Sequence, residues 1–408
     1  MMKKLVGVTV AAVLTLGGGI AFADGDEGFK SNITLRTGLL SNLTEKETYG
    51  VWSDGDFTRT DIILKWTGTD YGLYTNFRIQ STPSTALYNQ KVTATRKDDN
   101  YEAKVGLKAF GEEAWTREAY GWANLFGGNA KISGGLLVST DYQDDYWGDS
   151  TKEGTGLRLE VTPKAVEGLN FGAIFIAHDD DKTSGDDSST VNWDKKHWKA
   201  GANYEKDLFT ARIGYDGGKK NDTEFAWAQF TMNKFPGLEA LSAGVSGTIY
   251  NLVALESEER DVVACLNIEF DVGKLAESIP LTVGVFGYDD FTLKGSKQKD
   301  ANEKDYQTFE IDGYATYTFL EKYSVTAEGA YWHTTDKKAL SVEEDSQWFG
   351  KVKFVYKPVK KTQIGLSYSH KSLQYADNGY GGWLLVASGA GVGLAGYDFV
   401  GLDFRCQY

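Results

Sequence analysis

The 408-residue chain contains few of the residues that mark enzymes and disulfide-stapled proteins: two cysteines and four histidines. Two cysteines cannot form the disulfide framework of a small secreted domain. The histidines are isolated in the sequence and form no His-x-x-x-His or Ser-His arrangement. We therefore expect no metal site, no cofactor and no enzymatic activity.

Basic runs and long apolar runs are also missing from most of the chain. The formal net charge is −14, and no Lys/Arg-rich stretch of the kind that grips nucleic acid occurs, so nucleic acid is not expected as a partner. After residue 23, apolar residues rarely run beyond four or five before a charged residue or asparagine interrupts them. No later segment is therefore expected to cross a membrane as a helix.

The N-terminus has the pattern of a secretion signal. Lys3 and Lys4 precede an apolar stretch over residues 5–20, and Ala21-Phe22-Ala23 forms a small-x-small cleavage site. The sequence thus predicts a signal peptide over residues 1–23 and a mature chain over residues 24–408.

Aromatic residues and glycine are abundant: the chain has 23 Tyr, 21 Phe, 11 Trp and 47 Gly. Apolar and polar residues alternate with a period of two in many segments. For example, Leu73, Phe77 and Ile79 alternate with Asn76 and Arg78. Since side chains alternate between the two faces of a strand, each segment has one apolar and one polar face.

These segments are about 10 residues long, which suits a tilted strand that crosses a bilayer. We predict eighteen of them, with sixteen as the alternative count, and residues 101–110 as either a further strand or a piece of a long loop. Short and long connections alternate along the chain, and four of the five prolines fall in the short ones. The predicted fold class is all-β: a transmembrane antiparallel up-and-down β-barrel.

Two further features agree with a barrel in a membrane. Aromatic residues recur near the predicted strand ends, where amphipathic rings favour the headgroup level. This predicted belt comprises Trp66, Trp115, Trp122, Phe126, Trp198, Tyr331, Trp332, Trp348 and Tyr356. The last strand places Leu402, Phe404, Cys406 and the terminal Tyr408 on one face, which resembles the end that the bacterial assembly machinery reads.

Short motifs resemble the general diffusion porins of the Gram-negative outer membrane. The stretch from Trp115 to Trp122, followed by a glycine turn and Lys131-Ile132-Ser133-Gly134-Gly135, is similar to the strand pair before the porin constriction loop. The stretch from Gly156 to Pro163, followed by Gly168 and Leu169, is similar to a porin strand, turn and strand. The resemblance covers about a third of the chain, and it implies a homotrimer.

Alternation assigns the charged residues of the predicted strands to the inside of the barrel. A basic set from the first six strands comprises Arg36, Arg59, Lys65, Arg78, Arg117, Lys131 and Arg158. An acidic set from later strands comprises Glu205, Asp216, Glu269, Glu310, Asp312 and Glu328. We expect a basic wall that faces an acidic one and creates a transverse field. The resemblance makes the loop with Asp141, Asp144, Asp145 and Asp149 the candidate constriction, although segment 82–112 could fold inward instead.

The sequence therefore predicts a porin of the cell outer membrane that lets small hydrophilic solutes and ions diffuse passively. The alternatives are a channel selective for a sugar or an anion, and a major surface or adhesin barrel protein. Acidic outer loops favour a slight cation preference at low salt. The expected partners are outer-membrane lipid, lipopolysaccharide and the solutes.

Overall fold

A computed structural model describes residues 28–43, 47–49, 59–80, 93–97, 100–104, 114–138, 153–179, 197–217, 225–250, 261–292, 307–335, 346–371 and 398–408. Within these ranges, no helix is long and apolar enough to cross a membrane.

Eighteen long strands make up the described fold, and we number them in chain order. They are β1 Gly28–Asn42, β2 Arg59–Thr67, β3 Tyr71–Gln80, β4 Ala114–Leu125, β5 Ala130–Val138, β6 Glu153–Val161, β7 Leu169–Asp179, β8 His197–Glu205, β9 Phe209–Gly217, β10 Phe225–Met232, β11 Leu241–Tyr250, β12 Asp261–Asp271, β13 Leu281–Thr292, β14 Gln307–Phe319, β15 Tyr323–Thr334, β16 Ser346–Tyr356, β17 Thr362–Lys371 and β18 Asp398–Gln407.

Shorter elements accompany the long strands. A strand over Glu47–Tyr49 pairs with the end of β1, and Thr93–Lys97 pairs with Asn100–Lys104 in a separate hairpin. Single 3-10 turns occur at Phe126–Gly128 and Val272–Lys274. The beginning of the strand predicted at residues 101–110 therefore belongs to a hairpin outside the main sheet.

The eighteen strands form one closed antiparallel sheet. Each strand pairs with the next along the chain, and β18 pairs back onto β1, where Leu39 lies opposite Leu402. Ile33 and Tyr408 exchange backbone hydrogen bonds of 2.9 and 2.8 Å at the seam. The predicted barrel of eighteen strands is confirmed, and the alternative count of sixteen is wrong.

Eight short turns join the strands at one end of the barrel. Pro163, Pro236, Pro280 and Pro358 lie in these turns, as predicted, because proline cannot donate to a strand ladder. The start of β1 and the end of β18 lie at the same end. Since transmembrane barrels have short periplasmic turns, this end is the periplasmic one.

Apolar side chains cover the outward face of the barrel. Ile213, Leu157 and Leu366 are 60%, 57% and 53% exposed, whereas inward-facing Glu310, Asp216 and Asp403 are at most 1% exposed. This distribution is the reverse of a soluble protein, in which apolar side chains fill a dry centre. It suits a sheet whose outer face contacts lipid.

Two irregularities shift the alternation. The β3–β4 register changes between Asn76 and Phe77 because β4 carries an extra residue near Arg117, and the β7 register changes between Ile176 and His178. A β-bulge of this kind redirects the neighbouring side chains.

The predicted aromatic belt is only partly correct. Trp66, Trp198, Tyr331, Trp348 and Tyr356 lie at outward positions, and Phe126 lies in a periplasmic turn. Two members of the predicted belt, Trp122 and Trp332, instead face inward, because they lie opposite inward-facing Gly72 and Glu310. The side chain of Trp115 lies outside the described residues.

The inward face as candidate functional site

The inward face carries a row of three arginines on adjacent strands. Arg36 of β1 lies directly opposite Arg59 of β2 on one side and Arg405 of β18 on the other. We call these three residues the arginine row. Like charges directly opposite one another destabilise a sheet, so this arrangement does not serve the stability of the barrel.

One carboxylate lies beside the arginine row. Asp61 Oδ2 is 3.2 Å from Nε of Arg59, and Asp61 Oδ1 accepts a hydrogen bond of 2.7 Å from Nε of Arg78. The Asp61 and Arg78 side chains are nearly buried. Asp61 thus fixes two guanidinium groups against the wall and offsets some of their charge.

Aromatic rings lie on the inward face on the periplasmic side of Arg78. Tyr74 of β3 stacks on Tyr120 of β4 with ring centroids 5.1 Å apart, and the Arg158 guanidinium carbon lies 4.9 Å from the Tyr120 centroid. Arg117 and Glu118, beside the β4 bulge, are close enough to act electrostatically on the Tyr74 hydroxyl. Arg117 is the extra residue of this bulge and has no register partner on β3.

The remaining predicted cations have different surroundings. Lys131 Nζ is 2.6 Å from Glu160 Oε2, and Arg158 Nε is 3.6 Å from the same oxygen. Lys65 is exposed and lies opposite Lys30 at the periplasmic half of β1 and β2. Six of the seven predicted cations, all but Arg117, therefore lie at inward register positions. Arg59, Arg78 and Lys131 lie within 3.2 Å of a carboxylate oxygen of the described residues.

The acidic residues are distributed over β8 to β15. Glu205 is exposed at the periplasmic end of β8. Glu269 accepts a hydrogen bond of 2.5 Å from the Tyr314 hydroxyl. Glu310 and Asp312 of β14 are buried, and Glu328 of β15 lies 3.6 Å from Nζ of Lys351.

Cations interrupt this acidic region too. Lys199 and Asp216 form a fully buried pair at 3.2 Å between β8 and β9. Lys353 and Asp403 form another at 3.1 Å, between β16 and β18. The predicted acidic side is therefore not purely acidic, because Lys199, Lys351 and Lys353 lie on it and pair with carboxylates. Cations lie directly opposite cations in the arginine row and also at the Lys30–Lys65 pair.

Residues that the sequence interpretation left out of the candidate lining include Arg405, Lys199, Lys351 and Lys353. Alternation alone was sufficient to place them on the inward face. Their partners depend on which residues of adjacent strands lie opposite each other. The candidate constriction residues Asp141, Asp144, Asp145 and Asp149 lie outside the described residues.

Comparisons with known proteins agree with this architecture. The profile of the family described as oligogalacturonate-specific porin protein (KdgM) matches residues 275–363. These residues span β13 to β16, with Glu310, Asp312, Glu328, Lys351 and Lys353 on the inward side. Among curated proteins, nothing matches.

Several solved outer-membrane proteins share the fold. OccAB1 of Acinetobacter baumannii has a TM-score of 0.56 and 14% identity, with 95% of this chain and 98% of that chain covered. OpdQ of Pseudomonas aeruginosa has a TM-score of 0.54 and 12% identity, with 95% of this chain and 99% of that chain covered. OmpT of Vibrio cholerae has a TM-score of 0.52 and 14% identity, with 95% of this chain and 99% of that chain covered.

The chain therefore has the fold of the outer-membrane porins of Gram-negative bacteria, and its location is the outer membrane. This confirms the resemblance seen in the sequence at the level of outer-membrane porins. The matching family is described as a family of porins.

Proposed function

We propose that this outer-membrane barrel is a passive diffusion channel for small hydrophilic solutes and ions. The observation that carries the proposal is the distribution of polarity: charged side chains face inward around the sheet, and apolar side chains face outward. A wall of this kind supports a water-filled path across the membrane. The residues that we assign to its lining are the inward-facing cations and carboxylates described above.

Liposome swelling tests the proposal with uncharged solutes. Vesicles that contain the folded barrel should swell in isotonic sugar solutions, fastest with monosaccharides and more slowly as the sugar grows. The matched control is the same protein unfolded before reconstitution. Absence of swelling with every sugar, in vesicles shown to contain folded barrel, would contradict passive diffusion.

A second candidate function is selectivity for acidic sugars. Guanidinium groups of the arginine row present the forked donors that match carboxylates. Tyr74, Tyr120 and Arg158 add flat faces and a cation a short distance along the same wall, which suits a sugar ring that carries a carboxylate. The partial match to a family of oligogalacturonate-specific porins supports the same substrate class.

Ion selectivity and block separate the two candidates. An acidic-sugar channel should prefer anions at low salt, and a short acidic oligosaccharide should interrupt its current where a neutral oligosaccharide of equal length does not. A general channel should show the slight cation preference expected from its acidic loops. The acidic and the neutral oligosaccharide should also interrupt the current of a general channel to the same extent.

Two further proposals concern maturation and assembly. We propose cleavage after Ala23, which N-terminal sequencing of protein from outer membranes would test. We also propose that the channel is a homotrimer, as the resemblance implies. A native mass equal to one chain in mild detergent would contradict it.

A further inference from the structure

Five residues of β14, β15 and β16 surround one small position on the inward face. Asp312 of β14 lies directly opposite Ala330 on one side, and Phe349 of β16 lies opposite Ala330 on the other. Along β15, the next inward residues are Trp332 toward the extracellular end and Glu328 toward the periplasmic end. Two carboxylates and two aromatic rings therefore flank an alanine, whose side chain ends at Cβ. We call these five residues the Ala330 recess.

The carboxylate of Asp312 has no hydrogen-bond donor. Asp312 is 1% exposed, and neither of its side-chain oxygens receives a hydrogen bond. Glu310 is close enough to act on Asp312, but a carboxylate has no hydrogen to donate. Among the described residues, no lysine or arginine forms an ion pair with Asp312, and Lys351 Nζ lies 3.6 Å from Glu328 instead. A buried carboxylate of this kind requires a donor that the described wall does not supply.

The indole of Trp332 lacks the complementary partner. Its side chain is also 1% exposed, and its Nε1–H has no acceptor. A buried indole nitrogen normally has a hydrogen-bond partner. Asp312 and Trp332 are diagonal neighbours across the β14–β15 ladder. The Ala330 recess therefore combines an acceptor and a donor, both withdrawn from water and both without a partner.

The chemistry of the recess favours an organic cation over a metal ion. Among the described residues, no three carboxylate, imidazole or thiolate groups converge as they would around a metal. Calcium and magnesium require several converging oxygen ligands. An ammonium group needs fewer, because it brings its own N–H donors, and aromatic rings such as those of Trp332 and Phe349 attract cations to their faces.

We infer that the Ala330 recess binds a sugar with an unsubstituted amino group. Its ammonium donates to Asp312, a neighbouring hydroxyl accepts from Trp332 Nε1, and an apolar face of the sugar ring packs on Phe349. This inference rests on the proposed channel function, since the sugar must enter the lumen. The recess is separate from the arginine row and takes sugars of the opposite charge.

Other amines fit the recess less well. An amino acid carries a carboxylate, which would lie close to the carboxylates of Asp312 and Glu328 and be repelled by them. A simple diamine has no oxygen that accepts a hydrogen bond from the indole of Trp332. An amino sugar supplies both the cation and the acceptor, and it adds a flat ring for the aromatic side chains.

A proton is the competing partner for Asp312. If Asp312 and Glu310 share one, Asp312 is neutral and attracts no ammonium group. Asp312→Asn separates the two explanations, because asparagine has the size of the acid without its charge. Removal of a buried carboxylate that has no donor should not destabilise the barrel, so this variant should fold.

Block of the single-channel current in a planar bilayer tests the inference. The probes are the dimer of glucosamine and its N,N′-diacetyl form, which keeps both rings and lacks the charges, with 1,4-diaminobutane as a cation without a sugar ring. Recording at about pH 6, well below the ordinary pKa of an amino group, keeps the amines charged. The variants are Asp312→Asn and Trp332→Phe, and the matched control is Glu277→Gln, which removes one acidic charge from an exposed periplasmic turn.

We expect the glucosamine dimer to block the wild-type channel at a concentration about tenfold lower than either comparison compound. Asp312→Asn should weaken this block about tenfold, which corresponds to the loss of a hydrogen bond to a charged group. Trp332→Phe should weaken it about threefold, as expected for one neutral hydrogen bond. Glu277→Gln should be blocked like the wild type.

Three results would overturn the inference. Equal block of the wild type and Asp312→Asn would indicate the shared proton. Equal block by the dimer and the diamine would show that any cation is attracted. Current steps without block by the dimer would exclude the site and leave the proposed channel standing, whereas folded protein that gives no current steps would contradict the channel itself. The comparison of probes uses the wild type alone, so it does not depend on the folding of any variant.

Discussion

Arg36 lies directly opposite Arg59 across the β1–β2 ladder, and its other neighbour in the register, across the β1–β18 ladder, is Arg405. A sheet gains nothing in stability from three guanidinium groups side by side. Their electrostatic potential therefore points to a function on the inward face, where it attracts anions.

Replacement of one member of the arginine row should separate function from stability. We expect Arg36→Gln to shift the reversal potential in a salt gradient toward cations, because the local positive charge falls. The free energy of unfolding should change by no more than about 1 kcal/mol, because relief of the like-charge contact offsets the loss of the contacts that Arg36 makes. Bilayer recordings and urea unfolding of the same preparation measure both.

The matched control for Arg36→Gln is Lys234→Gln, which removes the same charge from a periplasmic turn. Its effect on selectivity should be small, since salt screens a distant exposed charge. Equal shifts from both variants would show that net charge, and not the arginine row, determines selectivity.

Asp61 should be critical for stability. Asp61→Asn leaves Arg59 and Arg78 without their shared carboxylate in a nearly buried position. Loss of one partner from a buried ion pair costs about 3–5 kcal/mol. Urea unfolding of the barrel in lipid vesicles should therefore reach its midpoint at a clearly lower concentration. Asp70→Asn, in an exposed turn, is the control, and equal midpoints for the two variants would refute the role of Asp61.

Gly135 occupies a position that other residues should not tolerate. Its φ is +139°, and an added Cβ would lie 2.3 Å from the Ala119 carbonyl oxygen. We expect Gly135→Ala to cost about 1–3 kcal/mol of unfolding free energy. Gly287→Ala provides the comparison, because the nearest atom there is Leu266 Cβ at 3.8 Å. A variant Gly135→Ala as stable as Gly287→Ala would contradict the geometry.

The periplasmic turns should show a pH effect at alkaline pH. Lys234 of one turn bonds to Asp207 of the neighbouring turn, and this hydrogen bond raises the pKa of Lys234 above its ordinary value of 10.5. Because the folded-state pKa is the higher one, the contribution of this bond to stability is complete below about pH 10.5 and is lost as the pH rises through the folded-state pKa. NMR titration of labelled lysine should show a lower Lys234 pKa in Asp207→Asn; an unchanged value would exclude the bond as its cause.

The sequence predicted the strands well for a physical reason. In a strand that separates lipid from water, apolar and polar side chains must alternate. The extent of the alternation therefore indicates where the strand lies and which side chains face each way. Trp122 and Trp332 were wrongly assigned to the belt because the assignment rested on their position near a strand end and not on the face that they occupy. Arg117 is part of a bulge, which composition does not reveal.

Contacts between strands could not be predicted in the same way. Lys199 and Asp216 are buried together because β8 and β9 pair in one particular register, and a shift of two residues would preserve every face and separate them. The opposition of Arg36 with both Arg59 and Arg405 also depends on closure of the barrel. No pattern within a single segment encodes that closure.

The central claim is that the inward face lines an aqueous path across the outer membrane. Single-channel recording of the purified, folded protein in a planar lipid bilayer tests it most directly. The account predicts discrete current steps that scale with salt concentration and an ion selectivity that changes in Arg36→Gln. Insertion of folded barrels without any current steps would contradict it.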